Sequence, residues 1–297
     1  MRSATKFAIV FVGLIMLLAA ISPAFALSSS MTLPAMVPLN SSNSNWYSSN
    51  WSGYAVSGSA GSVTYSGGSW IVPAVTGGMG TAFVAFWTGI DGFNSGTVEQ
   101  IGTLSESVTS FSFRGGEKTT VSYYAWYEFY PSESIIAITT ATTPSGASAT
   151  VKPGDTIVAA VTYVSGDSFT LTITDKTRGW TFTTTGSQSG ATESSAEWIA
   201  EAPSSSTGPL PLANFGKVYF GNDFTSAAST CYATVNGVTG SIGSFLHGST
   251  VGSSTVVQSI TMATQIGFGR HTLTIPEATP SALSPDGTSF SITKGFA

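Results

Sequence analysis

The chain has 297 residues and a formal net charge of -5, with 8% charged side chains against 42% hydrophobic ones. No basic residue occurs between Lys6 and Arg114, which argues against the contiguous basic surface that nucleic acid requires. Cys231 is the single cysteine, so no intramolecular disulfide can form and stability has to come from the packed core. Few bases also limit self-repulsion once carboxylates take up protons, which suits work in acid.

The chain opens with Arg2 and Lys6, an apolar run from Phe7 to about Ile21 and the small-x-small site Ala24-Phe25-Ala26. That pattern predicts a signal peptide over 1–26, cleaved after Ala26, and hence a secreted protein with no membrane association once it is removed. Residues 27–45 are Ser, Asn and Pro with a few apolar residues and no charge, and read as a linker or short pro-segment.

From residue 46 to about 270 the pattern is one β domain. β-branched and aromatic residues alternate with Gly-, Ser- and Thr-rich punctuation, and no helical periodicity is sustained. Alternation predicts strands near 69–73, 82–88, 98–102, 119–130, 135–142, 156–164, 168–175, 180–185, 196–201, 217–220, 233–235, 255–262 and 289–293. Turn chemistry fits at Ser165-Gly166-Asp167 and Asn236-Gly237. So many short strands without helices predict an all-β sandwich of two antiparallel sheets, of jelly-roll or lectin-like type. Residues 271–297, with Pro276, Pro280 and Pro285, form a C-terminal segment of unassigned role.

The stretch Ser195-Ala196-Glu197-Trp198-Ile199-Ala200-Glu201 is central to the chemistry. In an extended strand Glu197, Ile199 and Glu201 look one way and Ala196, Trp198 and Ala200 the other. A half-exposed edge strand is the plainer reading of the same residues. In Tyr123–Tyr130, alternation groups Tyr124, Trp126, Glu128 and Tyr130 on one face, suited to a cleft wall or, alternatively, to a core strand with one capped acid. His247 and His271 lack partners at metal-ligand spacing, Cys231 lacks a nearby His, and no Gly-x-Ser-x-Gly elbow occurs, so neither a metal nor another cofactor is expected. Chemistry falls to carboxylates, amides and hydroxyls.

Taken in order, Asn50-Trp51-Ser52-Gly53, Val72-Pro73, Trp87-Thr88-Gly89-Ile90-Asp91-Gly92, Gln100-Ile101-Gly102, Ala125-Trp126-Tyr127-Glu128-Phe129-Tyr130-Pro131, Gly154-Asp155 and Ala196–Glu201 resemble the glutamic peptidases, or eqolisins. The resemblance implies a two-sheet sandwich and an acid endopeptidase acting on polypeptides through a Gln/Glu dyad. By motif position the dyad is Gln100 and Glu201, while Trp51, Trp87, Asp91, Trp126 and Glu128 line the substrate cleft. Glu197 matches the first, non-catalytic acid of its motif. Ile101 stands where the family has Thr, Ala202 where fungal members have Asp, and the fungal disulfides are absent.

In that scheme Glu201 takes a proton from the attacking water and returns it to the leaving amine, and the Gln100 side-chain N–H stabilises the oxyanion. The rival classes are a jelly-roll glycosidase using Glu128 with Glu201 or Glu197, and a lectin-like binding module without chemistry. A monomer is expected.

Overall fold

The computed structural model describes residues 31–42, 45–78, 80–141, 148–246, 255–269 and 271–295. The expected signal peptide lies outside the described residues. Almost every element is a strand, and the pairings resolve into two layers.

The first layer runs from Val256–Phe268 through Trp51–Ser57, Ser195–Glu201, Gly80–Ile90, Val98–Ser112 and Gly116–Tyr130 to the short strand Ile136–Ile138, each antiparallel to the next. The second is centred on Val63–Ile71. On one side of it lie Thr156–Ser165, Ser168–Asp175 and Trp180–Ser187, and on the other Lys217–Gly221 and Tyr232–Val235. His271–Pro280 joins the layers, pairing with Val256–Phe268 of the first and with Ser289–Lys294, which flanks Lys217–Gly221 in the second.

The period-two pattern explains how the layers meet. Ile157, Ala159 and Val161 of one strand and Phe169, Leu171 and Ile173 of the next point inward with Trp70 and Phe220, against Phe86, Ile101 and Trp198 of the first layer. On the outer side of the same strands, Thr170, Thr172 and Thr174 bond Thr185, Thr183 and Thr181 across the pair, a polar ladder facing water. Two indoles pin the layers together: Trp198 Nε1 donates to the Gly67 carbonyl at 2.9 Å and Trp70 Nε1 to Thr103 Oγ1 at 2.9 Å. Each Trp thereby buries its rings without stranding its N–H.

Three details differ from the sequence reading. The edge-strand alternative for 195–201 fails, because the strand lies between Trp51–Ser57 and Gly80–Ile90 and is buried throughout. The strand expected to stop at Gly102 continues to Ser112 and forms a long hairpin with Gly116–Tyr130. The boundary drawn after residue 270 falls between two paired strands, and Ala278, Phe290 and Ile292 from beyond it belong to the core. The register between Val256–Phe268 and His271–Pro280 shifts at Met262/Ala263, opposite Pro276, where a residue without an N–H is tolerated.

Candidate active site

The first layer has a second apolar face, turned away from the sandwich core. Trp51, Ala85, Trp87, Val98, Leu104, Trp126 and Ile199 form a buried cluster there, and Glu197, Gln100, Glu128 and Glu201 alternate into the same face. Register decides who meets whom: Glu197 is opposite Gly89, Gly89 opposite Gln100 and Gln100 opposite Glu128. Two residues along, Ile199, Trp87, Gly102 and Trp126 make the next row. Glu201 lies two residues farther, opposite Trp51 on one side and Ala85 on the other.

Glu201 is fully buried. Its Oε1 accepts from Asn50 Nδ2 at 3.1 Å and its Oε2 from Trp87 Nε1 at 3.0 Å. Burial first, and the Glu128 charge second, hold its carboxyl well above the usual range, against the pull of the Asn50, Trp51 and Trp87 N–H groups. Gln100 Nε2 donates to Glu128 Oε2 at 3.1 Å and to the Leu33 carbonyl at 2.6 Å. Glu128 Oε2 also accepts the Leu33 N–H at 2.9 Å, and burial again raises this carboxyl. Gln100 Oε1, Glu128 Oε1 and Trp126 Nε1 are buried without a hydrogen-bond partner among the described residues. Such spare capacity is a mark of functional sites, since structural polar groups are normally satisfied.

The structure therefore brings Gln100, Glu201, Glu128, Trp51, Trp87 and Trp126 to one face. Asp91 is placed differently. Its backbone is left-handed at φ 69°, and both carboxylate oxygens are taken up by the 192–194 loop, with Thr192 N at 2.6 Å, Glu193 N at 2.9 Å and Ser194 N at 2.9 Å. Asp91 holds that loop beneath the start of the Ser195–Glu201 strand and does not line the cleft.

Two contributors escaped the sequence reading. Asn50 was visible within the Asn50-Trp51 pair, but nothing in the residues marked its side chain as a ligand of Glu201. Leu33 and Pro34 belong to the stretch read as linker or pro-segment, where Met31, Leu33 and Met36 are buried in the cleft cluster. Cys231 is buried and its thiol is pushed up to about 12 by burial, so it is an inert core residue.

Gly89 separates Glu197 from Gln100, and a Cβ there would lie 2.9 Å from the Trp87 ring, 3.0 Å from the Glu99 carbonyl and 3.3 Å from Gln100 Cβ. Gly89→Ala is expected to displace both side chains, costing about 1–3 kcal/mol of stability as overpacking does. Activity should fall more than the thermal midpoint accounts for; unchanged turnover at substrate saturation would show that Trp87 and Gln100 were not moved.

A family model described as the Peptidase A4 family matches residues 49–264. Aspergillopepsin-2 of Aspergillus niger is 28% identical over 218 residues, covering 66% of this chain and 71% of that protein. Among solved structures, scytalido-glutamic peptidase with a transition-state analogue inhibitor aligns over 83% of this chain and 98% of its own, at TM-score 0.56 and 24% identity. SCP-B, described as a member of the eqolisin family in complex with the tripeptide Ala-Ile-His, aligns over the same shares at TM-score 0.52 and 22% identity. These two structures speak for the fold.

Proposed function

The chain belongs to the Peptidase A4 family, the glutamic peptidases, and is a hydrolase of peptide bonds; from that premise we propose that it cuts polypeptides in acid with Glu201 as general base and acid and Gln100 as oxyanion donor. The observation that carries this reading is the Gln100 Nε2 to Leu33 carbonyl bond of 2.6 Å, an amide donor already aimed at a peptide carbonyl on the cleft face. Gln100 Oε1, free of protein partners among the described residues, can accept a hydrogen from the attacking water. Glu201, ionised, removes the other proton as the water oxygen adds to the carbonyl carbon. The C–N bond then breaks and Glu201 passes its proton to the leaving nitrogen, so no metal, thiol or imidazole is required.

Ionisation has to be compatible with acid, and the raised Glu201 carboxyl belongs to a covered cleft. Admitting water removes the desolvation that is its first cause and leaves three N–H groups favouring the carboxylate. Trp51, Trp87 and Trp126 supply apolar walls for substrate side chains, and Glu128 accepts a backbone N–H beside the reacting carbonyl. Secretion through the 1–26 segment and a monomeric state complete the proposal. Among the described residues no helix is long and apolar enough to cross a membrane.

Incubating the purified protein with an unfolded protein at about pH 3 to 4, where carboxyls near ~4 titrate, should give internal fragments. Chelators, thiol alkylators and serine-directed acylating agents should leave that activity intact. Loss of activity to a chelator would contradict the dyad.

A further inference from the structure

The outer face of the second layer carries a groove of about 470 Å³ that the reaction does not use. It lies over the central strand Val63–Ile71, where that strand pairs with Thr156–Ser165 on one side and Tyr232–Val235 on the other. Register makes the hollow: Gly67 sits between Ala160 and Tyr232, so two small residues adjoin a large ring. Tyr65 lies down along its own strand into this gap, and a Cβ on Gly67 would be 2.6 Å from Tyr65 Cζ and 2.9 Å from its Cε1. Tyr163 and Tyr232 also line the groove, half-buried like Tyr65. None of the three hydroxyls has a hydrogen-bond partner among the described residues.

Hydroxyls continue the groove sideways. Thr239, Thr234, Tyr65, Thr162, Thr170 and Thr185 are register partners in turn, one from each of six neighbouring strands. At ~4.8 Å per strand the row is about 24 Å long. Thr234 and Thr239 bond each other at 2.7 Å and Thr170 and Thr185 at 3.1 Å, which leaves one O–H of each pair to donate outward. Among the described residues, no charged side chain lines the groove.

We propose that this groove binds a neutral polysaccharide, whose sugar rings pack on Tyr65 and Tyr232 while its hydroxyls bond the threonine row. The chemistry of the face selects that ligand against the others. An ionic ligand finds no counter-charge in the groove. An added peptide strand finds no backbone to pair with, because Val63–Ile71 is bonded on both sides. A flat apolar protein surface would leave the covered hydroxyls without partners. A sugar chain meets both demands, with C–H faces for the rings and hydroxyls that donate and accept. The length of the row suits a run of several sugars. The cleft opens on the outer face of the other layer, with the sandwich core between the two. A polysaccharide bound here leaves the cleft open and holds the protein on a glycan matrix with its reactive face turned to solvent.

Affinity gel electrophoresis of the full-length protein through hydroxyethylcellulose, mixed-linkage β-glucan, galactomannan and amylopectin tests this, with polygalacturonate as the charged control. At least one neutral polymer should retard the protein, and Tyr65→Ala and Thr162→Glu should each weaken that binding about tenfold or more. Thr162 is exposed, so its substitution probes the groove even if Tyr65→Ala impairs folding. Gln100→Ala, on the opposite face, should be retarded as the unchanged protein is. Retardation by none of the four neutral polymers, or by polygalacturonate alone, overturns the proposal. So does undiminished retardation of Thr162→Glu. Retardation lost in Gln100→Ala would put the glycan in the cleft and overturn it as well.

Discussion

Glu201→Gln and Gln100→Ala are each expected to lower kcat/KM toward an unfolded protein by about a hundredfold or more, the scale on which one oxyanion donor acts. The two side chains serve a single transition state, so the double variant should be scarcely worse than either alone. Folding should survive both changes. Glu201 accepts one hydrogen bond on each oxygen, from Asn50 and from Trp87; an amide there presents its NH2 to one of those donors and leaves that pair unmet, at about 1–3 kcal/mol. Gln100→Ala removes the donor to Glu128, itself carried on a central hairpin. Thermal unfolding monitored alongside turnover separates the effects: a lower midpoint with full activity would mean that the dyad is assigned to the wrong residues.

The second large effect is on stability against pH. Burial holds the Glu99, Glu128, Glu197 and Glu201 carboxyls well above their ordinary range. Glu99 is raised further by Asp91 and Glu193, and Glu197 by Asp91 and Glu99, while Thr97 and Ser195 pull the other way. Folded protein thus keeps protons that unfolded chain releases as pH passes the ordinary Glu value of ~4.3. The sign follows: this stabilisation is complete below that value and is lost as pH rises toward the folded-state values. Each proton retained costs about 1.4 kcal/mol per pH unit, a large slope for a domain whose whole stability is about 5–15 kcal/mol. The melting temperature should therefore fall steeply from about pH 5 to 7. Glu128 and Glu201 can escape by hydration if the 31–36 segment leaves, whereas Glu99 and Glu197 lie toward the Asp91 loop. Glu99→Gln and Glu197→Gln should flatten the curve. A melting temperature constant from pH 4 to 7 would mean that these acids are ionised in the folded protein.

Much of this was legible in the residues because strands report their faces. Alternation in Ser195–Glu201 and Tyr123–Tyr130 separated Trp198 from Glu201 and Tyr123 from Trp126, and the two layers of packing follow that division. Motif order located Trp51, Trp87, Trp126 and Glu128 on one face. Asp91 went astray because a motif gives position and not direction: a left-handed backbone turns its carboxylate to the 192–194 amides. Residues 31–36 read only as linker or short pro-segment because they form no regular strand of their own; Met31, Leu33 and Met36 are spaced by the cleft they fill, and no period of two or 3.6 reveals that. The final strands were obscured by Pro276, which lies at a shift of register, and by Pro280, which is the last residue of its strand.

The most direct test of the Glu201/Gln100 account is the pH dependence of kcat/KM toward an unfolded protein. Glu201 must be ionised to act as base, so the rate should fall at low pH through its free-enzyme value; a second carboxyl, with Glu128 nearest the Gln100 amide, should bring it down again as it ionises. The account predicts a bell with its maximum at about pH 2 to 4, little activity at pH 7 and no limb near the His value of ~6.5. A rate rising to a plateau at neutral pH would contradict it, because that requires a base this cleft does not contain.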